Sequence, residues 1–205
     1  MLSNKARIAV LVSGGGTNLQ ALIDAQAAGK LKHGEISFVV SNKANAYAVQ
    51  RAKRAGIETM VITGSQTTFE SALLSTLYRH DIDLIILAGF MRILSPQVIR
   101  AYEGRILNVH PSLIPSFCGE GYYGLKVHEE ALARGVKVTG ATVHIVNEIA
   151  DGGPILLQKA VEVLPEDTPE ILQRRVMERA EWILLPQAAE MLSAQIMEER
   201  ERSYD

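Results

Sequence analysis

Short apolar runs recur along the chain at residues 8–12, 36–40, 59–62, 84–87, 106–109, 141–146 and 155–163, and the early ones are apolar nearly throughout. A strand with one face in water alternates apolar and polar side chains, whereas a strand covered on both faces does not. Between the runs lie segments with helical spacing at 19–28, 46–55, 69–79, 96–101 and 127–134. Doubly covered strands alternating with helices define an α/β protein. The expected architecture is a mostly parallel, twisted sheet of about seven strands with right-handed crossovers and helices on both faces. The last two strands have no helix between them and are expected to pair antiparallel through the turn at 147–154. From Pro169 to Arg202 the chain is helical, and its charged run Glu198 to Arg202 is expected to be part of a solvated end that frays from about residue 190.

A chain of 205 residues can bury a substantial core, and no repeat, linker or break in composition marks a second unit, so residues 1–205 are expected to form a single domain. Lysine and arginine (21) nearly balance aspartate and glutamate (23), which argues against a general nucleic-acid or membrane-surface binder. No apolar stretch approaches the ~18 residues of a membrane helix. The run at 8–12 is too short for a signal peptide and ends in a glycine loop. The single cysteine, Cys118, cannot form an internal disulfide; a reducing, cytoplasmic location is expected. Cys118 itself is a loop thiol with no assigned role, because no array for nucleophilic catalysis surrounds it.

The fifth apolar run ends in Asn108-Val109-His110-Pro111, where proline stops the strand. Side chains two apart on a strand share a face, so Asn108 and His110 can address one reacting atom. An amide N–H and a protonated imidazole are both donors, and donors aimed at one point suit a developing oxyanion. Asp151-Gly152-Gly153-Pro154 places an acid on a glycine turn before the last apolar run. An acid there can hold His110 protonated or carry a proton from a nucleophile. Ser13-Gly14-Gly15-Gly16-Thr17-Asn18 joins the first strand to the first helix, and a helix N-terminus offers N–H groups to an anion. The loop is no dinucleotide fingerprint, because Asn18 stands at its third glycine, and it lacks the lysine of a P-loop. By itself the loop is weak evidence, with a plain connector as the alternative. No His, Cys or acid cluster has metal-ligand spacing, so no metal is expected.

These motifs carry a resemblance. Asn108 through Pro115 with Asp151-Gly152-Gly153-Pro154, Ser13 through Gln20, Ala88-Gly89-Phe90-Met91-Arg92-Ile93-Leu94-Ser95 and Thr142-Val143-His144 together resemble the folate-dependent formyltransferases, from Ile8 to about Pro186. The resemblance implies a Rossmann-like formyltransferase fold. It also implies transfer of the formyl group of 10-formyltetrahydrofolate, as co-substrate, to the amine of 5-phosphoribosylglycinamide, a step of purine synthesis. The products would be N-formylglycinamide ribonucleotide and tetrahydrofolate. Asn108 and His110 would stabilise a tetrahedral intermediate and Asp151 would assist proton transfer, with no covalent enzyme intermediate and no metal. Gly16, Thr17, Asn18, Leu19 and Gln20 are implied at the phosphate of the ribonucleotide. Glu181 is implied there too, although as a residue it could equally be an exposed helix carboxylate. Trp182 follows it where the family usually has histidine. Met91, Arg92, Ile93 and Leu94, with Asn108 and the loop Asn147, Glu148, Ile149, Ala150 and Asp151, are implied at the folate. Gln66 occupies a position near the folate glutamate tail where the family often has a cation. The implied partners are small molecules only, with the chain a monomer or a homodimer.

Between His110 and Asp151, Ser116 to Gly124 carries three glycines and three aromatics, the composition of a mobile flap. Its aromatics either pack over a ligand or fasten the loop down. His128 reads as structural, and His144, inside a strand, as a core histidine that supports the site. Two relatives and one non-catalytic reading compete. A formyltetrahydrofolate deformylase gives the formyl group to water and usually carries an N-terminal regulatory domain, for which a first strand at Ile8 leaves no room. Formyltransferases acting on transfer RNA usually add a basic C-terminal domain. A nucleotide-binding module would keep the fold without the chemistry, against which intact Asn108, His110 and Asp151 argue.

Overall fold

The computed structural model describes residues 4–203; the ends of the expected 1–205 domain, residues 1–3 and 204–205, lie outside the described residues. The strands are β1 (Ala6–Val12), β2 (Gly34–Ser41), β3 (Glu58–Val61), β4 (Leu84–Leu87), β5 (Ile106–His110), β6 (Val138–Ile145) and β7 (Ile155–Glu162). The helices are α1 (Thr17–Ala27), α2 (Tyr47–Arg54), α3 (Gln66–Arg79), α4 (Pro96–Ala101), α5 (Leu125–Arg134), α6 (Pro169–Val176) and α7 (Trp182–Arg202), with a π turn at Met177–Glu181 before α7.

The strands form one sheet in the order β3-β2-β1-β4-β5-β6-β7. The missing alternation in β1 has a direct cause. Ile8, Val10 and Val12 pack with Leu19 and Leu22 of α1 and Leu185 and Leu192 of α7. Ala9 and Leu11 face the opposite layer, with Phe69, Leu73 and Leu77 of α3 and Val98 of α4. Both faces are dry, as the apolar runs require.

β1 to β5 pair in parallel, and β6 with β7 antiparallel, as expected. β5 and β6 differ from the strand–helix–strand expectation: they too are antiparallel, although α5 lies between them. The reason is that α5 packs against α6 and does not return the chain along the sheet. The stretch from about residue 190, expected to fray, falls in the last turns of α7. α7 is helical to Arg202, with Leu192, Ser193 and Ile196 buried, and Arg200 pairs with Asp83 at the foot of β4. That burial anchors the last turns despite their charge. No helix among the described residues is long and apolar enough to cross a membrane.

From β1 the chain builds outward through β2 and β3, then crosses back to β4. The carboxyl ends of β1 and β4 therefore open a crevice where the strand order reverses, the usual ligand position in such sheets. The glycine loop, the segment after β4 and the end of β5 all lie at this end.

Candidate active site

The register of β5 against β6 sets Asn108 opposite His144 and His110 opposite Thr142. Directly opposed residues share a face of the sheet, so Asn108 and His144 meet side by side. The turn after β6 then brings Asp151 against them. Its path admits only glycine at two points: a Cβ on Gly152 would lie 2.6 Å from Ile149 Cγ2, and one on Gly153 only 1.7 Å from the Ile145 carbonyl oxygen. Asp151 itself has φ +54°, a left-handed conformation that side chains seldom adopt and that clusters at functional sites.

The result is a compact polar cluster. Asp151 Oδ2 lies 3.4 Å from His110 Nδ1, and its Oδ1 lies 3.5 Å from His144 Nε2 and 3.4 Å from Asn108 Nδ2. Asn108 Nδ2 is 3.1 Å from His144 Nε2. When bare, that nitrogen accepts from Asn108; when protonated, it donates to Asp151. The backbone N–H of Gly119 donates to Asp151 Oδ2 at 2.9 Å. Burial works to raise the Asp151 carboxyl, but bonding from His144 and Gly119 and the positive charges of His110 and His144 outweigh it. Asp151 is held below the usual carboxylate range. His110 Nε2 lies 2.8 Å from the Phe117 carbonyl, which can only accept, so both ring nitrogens of this buried imidazole face acceptors.

The loop over this cluster is held at its root, where Thr142 Oγ1 donates to the Ser112 carbonyl at 2.7 Å and Ser112 Oγ to the Ser116 carbonyl at 2.5 Å. Farther out Phe117, at φ +49°, tilts its ring against Tyr122, while Tyr123 is exposed. Cys118 donates to the Pro115 carbonyl at 3.3 Å. His128 on α5 is fully buried, and neither ring nitrogen has a hydrogen-bond partner among the described residues. Burial, reinforced by repulsion from His110, pushes this imidazole down to about 4.

At the glycine loop, Gly16 caps α1 with φ +73°, and a Cβ there would lie 2.6 Å from Ala48 Cβ on α2. Leu19 is core, so only its backbone is available to a ligand. Thr17 and Gln20 face a cavity of about 850 Å³ between α1 and α7, walled by Ala21, Trp182, Ile183 and Pro186. Asn18 Nδ2 donates to Glu181 Oε2 at 2.7 Å. The π turn sets this pair, and single π turns often mark functional positions. Glu181 is only 6% exposed, so it is not the exposed carboxylate that its sequence position also allowed. Burial pushes its carboxyl up to about 7 against the opposing bond from Asn18. Asn18 Oδ1 and Trp182 Nε1 are buried without partners among the described residues.

On the expected folate side, Met91 and Ile93 are exposed, 51% and 77%, and form an apolar ledge after β4. Leu94 is buried with Phe69 and Val98 and supports that ledge from the core instead of walling a ligand. Arg92 stacks over Phe69 at 4.8 Å and donates to the Gly64 carbonyl at 2.8 Å. Gln66 does the work of a brace, its Nε2 donating to Glu70 Oε1 at 2.6 Å and the Ile93 carbonyl at 2.8 Å. In the last loop Asn147 Oδ1 accepts from Ile149 N at 3.0 Å, Glu148 pairs with Arg100 at 3.4 Å, and Ile149 and Ala150 are exposed. A link the sequence did not suggest is Ser13, which donates to Asn42 Oδ1 at 2.7 Å and accepts from Met91 N at 2.9 Å. It fastens the glycine loop to the expected folate segment. Only a hydroxyl directly after an apolar strand hinted at it. Among the described residues no group of three or more His, Cys, Asp or Glu side chains is arranged to hold a metal ion.

An α/β sheet with an amide and an imidazole on β5 and a carboxylate in the turn beside them is the framework of an acyl-transfer enzyme. Residues 6–188 match the formyl transferase family, and the chain belongs to it. It is 42% identical over 173 residues to the phosphoribosylglycinamide formyltransferase of Escherichia coli K12, covering 82% of this chain and 79% of that protein. It is 46% identical over 196 residues to the trifunctional purine biosynthetic protein adenosine-3 of Gallus gallus, covering 94% of this chain but only 19% of that much longer relative. Among solved structures, glycinamide ribonucleotide transformylase 1 from Symbiobacterium toebii superposes with a TM-score of 0.87 at 41% identity, covering 94% of this chain and 90% of that one.

Proposed function

We propose that the protein transfers the formyl group of 10-formyltetrahydrofolate to the amine of 5-phosphoribosylglycinamide. The observation that carries this reading is the set of contacts, all within 3.5 Å, that join Asp151 to Asn108, His110 and His144 in a chain of the formyl transferase family. The amine attacks the formyl carbon, forming a C–N bond while the carbonyl π pair moves onto oxygen. Asn108 Nδ2 and His110 Nε2 donate to that oxygen. His110 does so by exchanging the Phe117 carbonyl for the substrate, and Asn108 by releasing its long 3.4 Å contact to Asp151. Asp151, held ionised, takes the proton lost by the amine. Collapse of the intermediate breaks the bond to N10, which receives the proton and leaves as tetrahydrofolate. Loss of one oxyanion donor should cost about 10²–10³ in turnover.

The substrates divide between the two sides of the crevice. The N–H groups that open α1, at Gly16 to Gln20, take the phosphate, with Glu181 and Asn18 beside it on the ribonucleotide. The ledge of Met91 and Ile93, with Arg92 and residues 147–151, takes the folate. The test is consumption of 10-formyl folate followed by absorbance, with and without the ribonucleotide. Turnover that requires the ribonucleotide is expected. Turnover in its absence would replace the transfer with hydrolysis, and none in either mixture would refute the reading.

A further inference from the structure

We propose that Arg51, on α2, is a positioning residue of the phosphate site, holding the glycine loop with its amide N–H groups turned toward the anion. The inference rests on the phosphate assignment made under the proposed function.

Two groups of α2 grip the loop by its carbonyls. Ala48 N donates to the Gly14 carbonyl at 3.0 Å, and Arg51 Nε donates to the Gly15 carbonyl at 2.8 Å. In a trans peptide the N–H points opposite to the C=O of the same unit. With the Gly14 and Gly15 carbonyls aimed at α2, the N–H groups of Gly15 and Gly16 are aimed away from it. They add to the first-turn N–H groups of α1, which begins at Thr17 and has no side chain capping it.

Little else fixes that orientation. A Cβ on Gly14 or Gly15 would meet nothing within 4 Å, so packing does not hold these residues. Glycines on both sides of a peptide allow it to turn over at small cost. Gly16 is wedged against Ala48 and cannot move with them. The Gly15–Gly16 unit therefore depends on the Arg51 bond.

Arg51 is itself preorganised. Its guanidinium lies 5.1 Å from the centre of the Tyr47 ring, and its second nitrogen donates to Gln20 Oε1 at 3.0 Å. Gln20 is held in turn by donating to Asp24 Oδ1 at 2.8 Å. One planar fork thus joins the loop to the first helix, and an ammonium at the same place cannot span both acceptors in that geometry.

The experiment compares wild type, Arg51→Met and Arg51→Lys with the ribonucleotide and with its dephosphorylated ribonucleoside, at saturating formyl folate. Arg51→Met should raise KM for the ribonucleotide about 10–100-fold, the range for a lost charge-assisted bond, while kcat and the KM for formyl folate change little. Arg51→Lys should keep the charge but recover only part of the affinity, and covers the case in which the methionine variant folds poorly. With the ribonucleoside, wild type and both variants should share one KM. A wild type that prefers the ribonucleotide, beside variants whose KM is unchanged or rises equally for both substrates, would overturn the role of Arg51 alone. A wild type indifferent to the phosphate would overturn the phosphate assignment itself.

Discussion

Asp151 and Glu181 are acids of similar chemistry and low exposure, at 14% for the Asp151 side chain and 6% for Glu181, yet their surroundings drive them in opposite directions. Asp151 has a backbone N–H and two imidazoles around it, and their bonds and charges outweigh burial, so it is held ionised. Glu181 has one neutral amide for company, and burial prevails, taking it up to about 7. Desolvation acts on both; the number and charge of the donors decides the outcome. Under the proposed function the difference would separate two tasks: Asp151, the proposed proton acceptor, is kept as the anion, whereas Glu181, proposed to meet the ribonucleotide, is left poised. The corner around Asp151 is polar and paired, and the corner around Glu181 keeps buried Asn18 Oδ1 and Trp182 Nε1 without partners among the described residues.

The most severe way to break the contrast is Asp151→Asn, which keeps shape and removes the anion. Turnover should fall about 10³-fold or more, because proton transfer and support of His110 are lost together. Steady-state kinetics on a variant with an unchanged melting temperature checks this, and retention of a tenth of the wild-type kcat would move the proton acceptor elsewhere.

Next in size are two opposed effects on stability. The raised value of Glu181, about 7 against 4.5, means that the folded state keeps a proton the unfolded chain has lost. Its contribution, on the order of 3 kcal/mol, is complete below 4.5 and disappears as pH rises through 7. His128, lowered to about 4 from 6.5, has the reverse sign: its contribution is present above 6.5 and lost as pH falls through 4. Between 4.5 and 6.5 the two slopes oppose each other and the wild type should be nearly flat. Glu181→Gln should leave a protein that weakens only toward acid, and His128→Leu one that weakens steadily from 4.5 to 7, both read from melting temperature against pH. Parallel profiles for wild type and both variants would remove the distinction between the two environments.

The smallest expected effect concerns the link between the corners. Ser13→Ala removes the bonds to Asn42 and Met91 N and should cost about 1 kcal/mol in stability, with a modest rise in the KM for formyl folate. An unchanged KM would make that link purely structural.

Much of this arrangement was legible in the sequence because it is periodic. Unbroken apolar runs gave two covered faces, and the two-residue spacing of Asn108 and His110 gave one shared direction. The antiparallel turn from β5 to β6 was not legible, because a helix between strands normally implies a parallel crossover and only tertiary packing sends α5 to α6. The π turn at Met177–Glu181 was not legible either. Five residues are too few for its period to differ visibly from that of an α-helix. The burial of Glu181 and the Arg51 bond to Gly15 depend on neighbours 163 and 36 residues away, which no local pattern records.

The opposed states of the two carboxylates are measured most directly by titrating side-chain ¹³C-labelled aspartate and glutamate by NMR, with Asp151→Asn and Glu181→Gln used for assignment. At about pH 5.5 an ionised Asp151 and a protonated Glu181 are expected in the same molecule. A Glu181 that ionises near its ordinary value of 4.5, or an Asp151 that ionises above its ordinary 3.8, would contradict this.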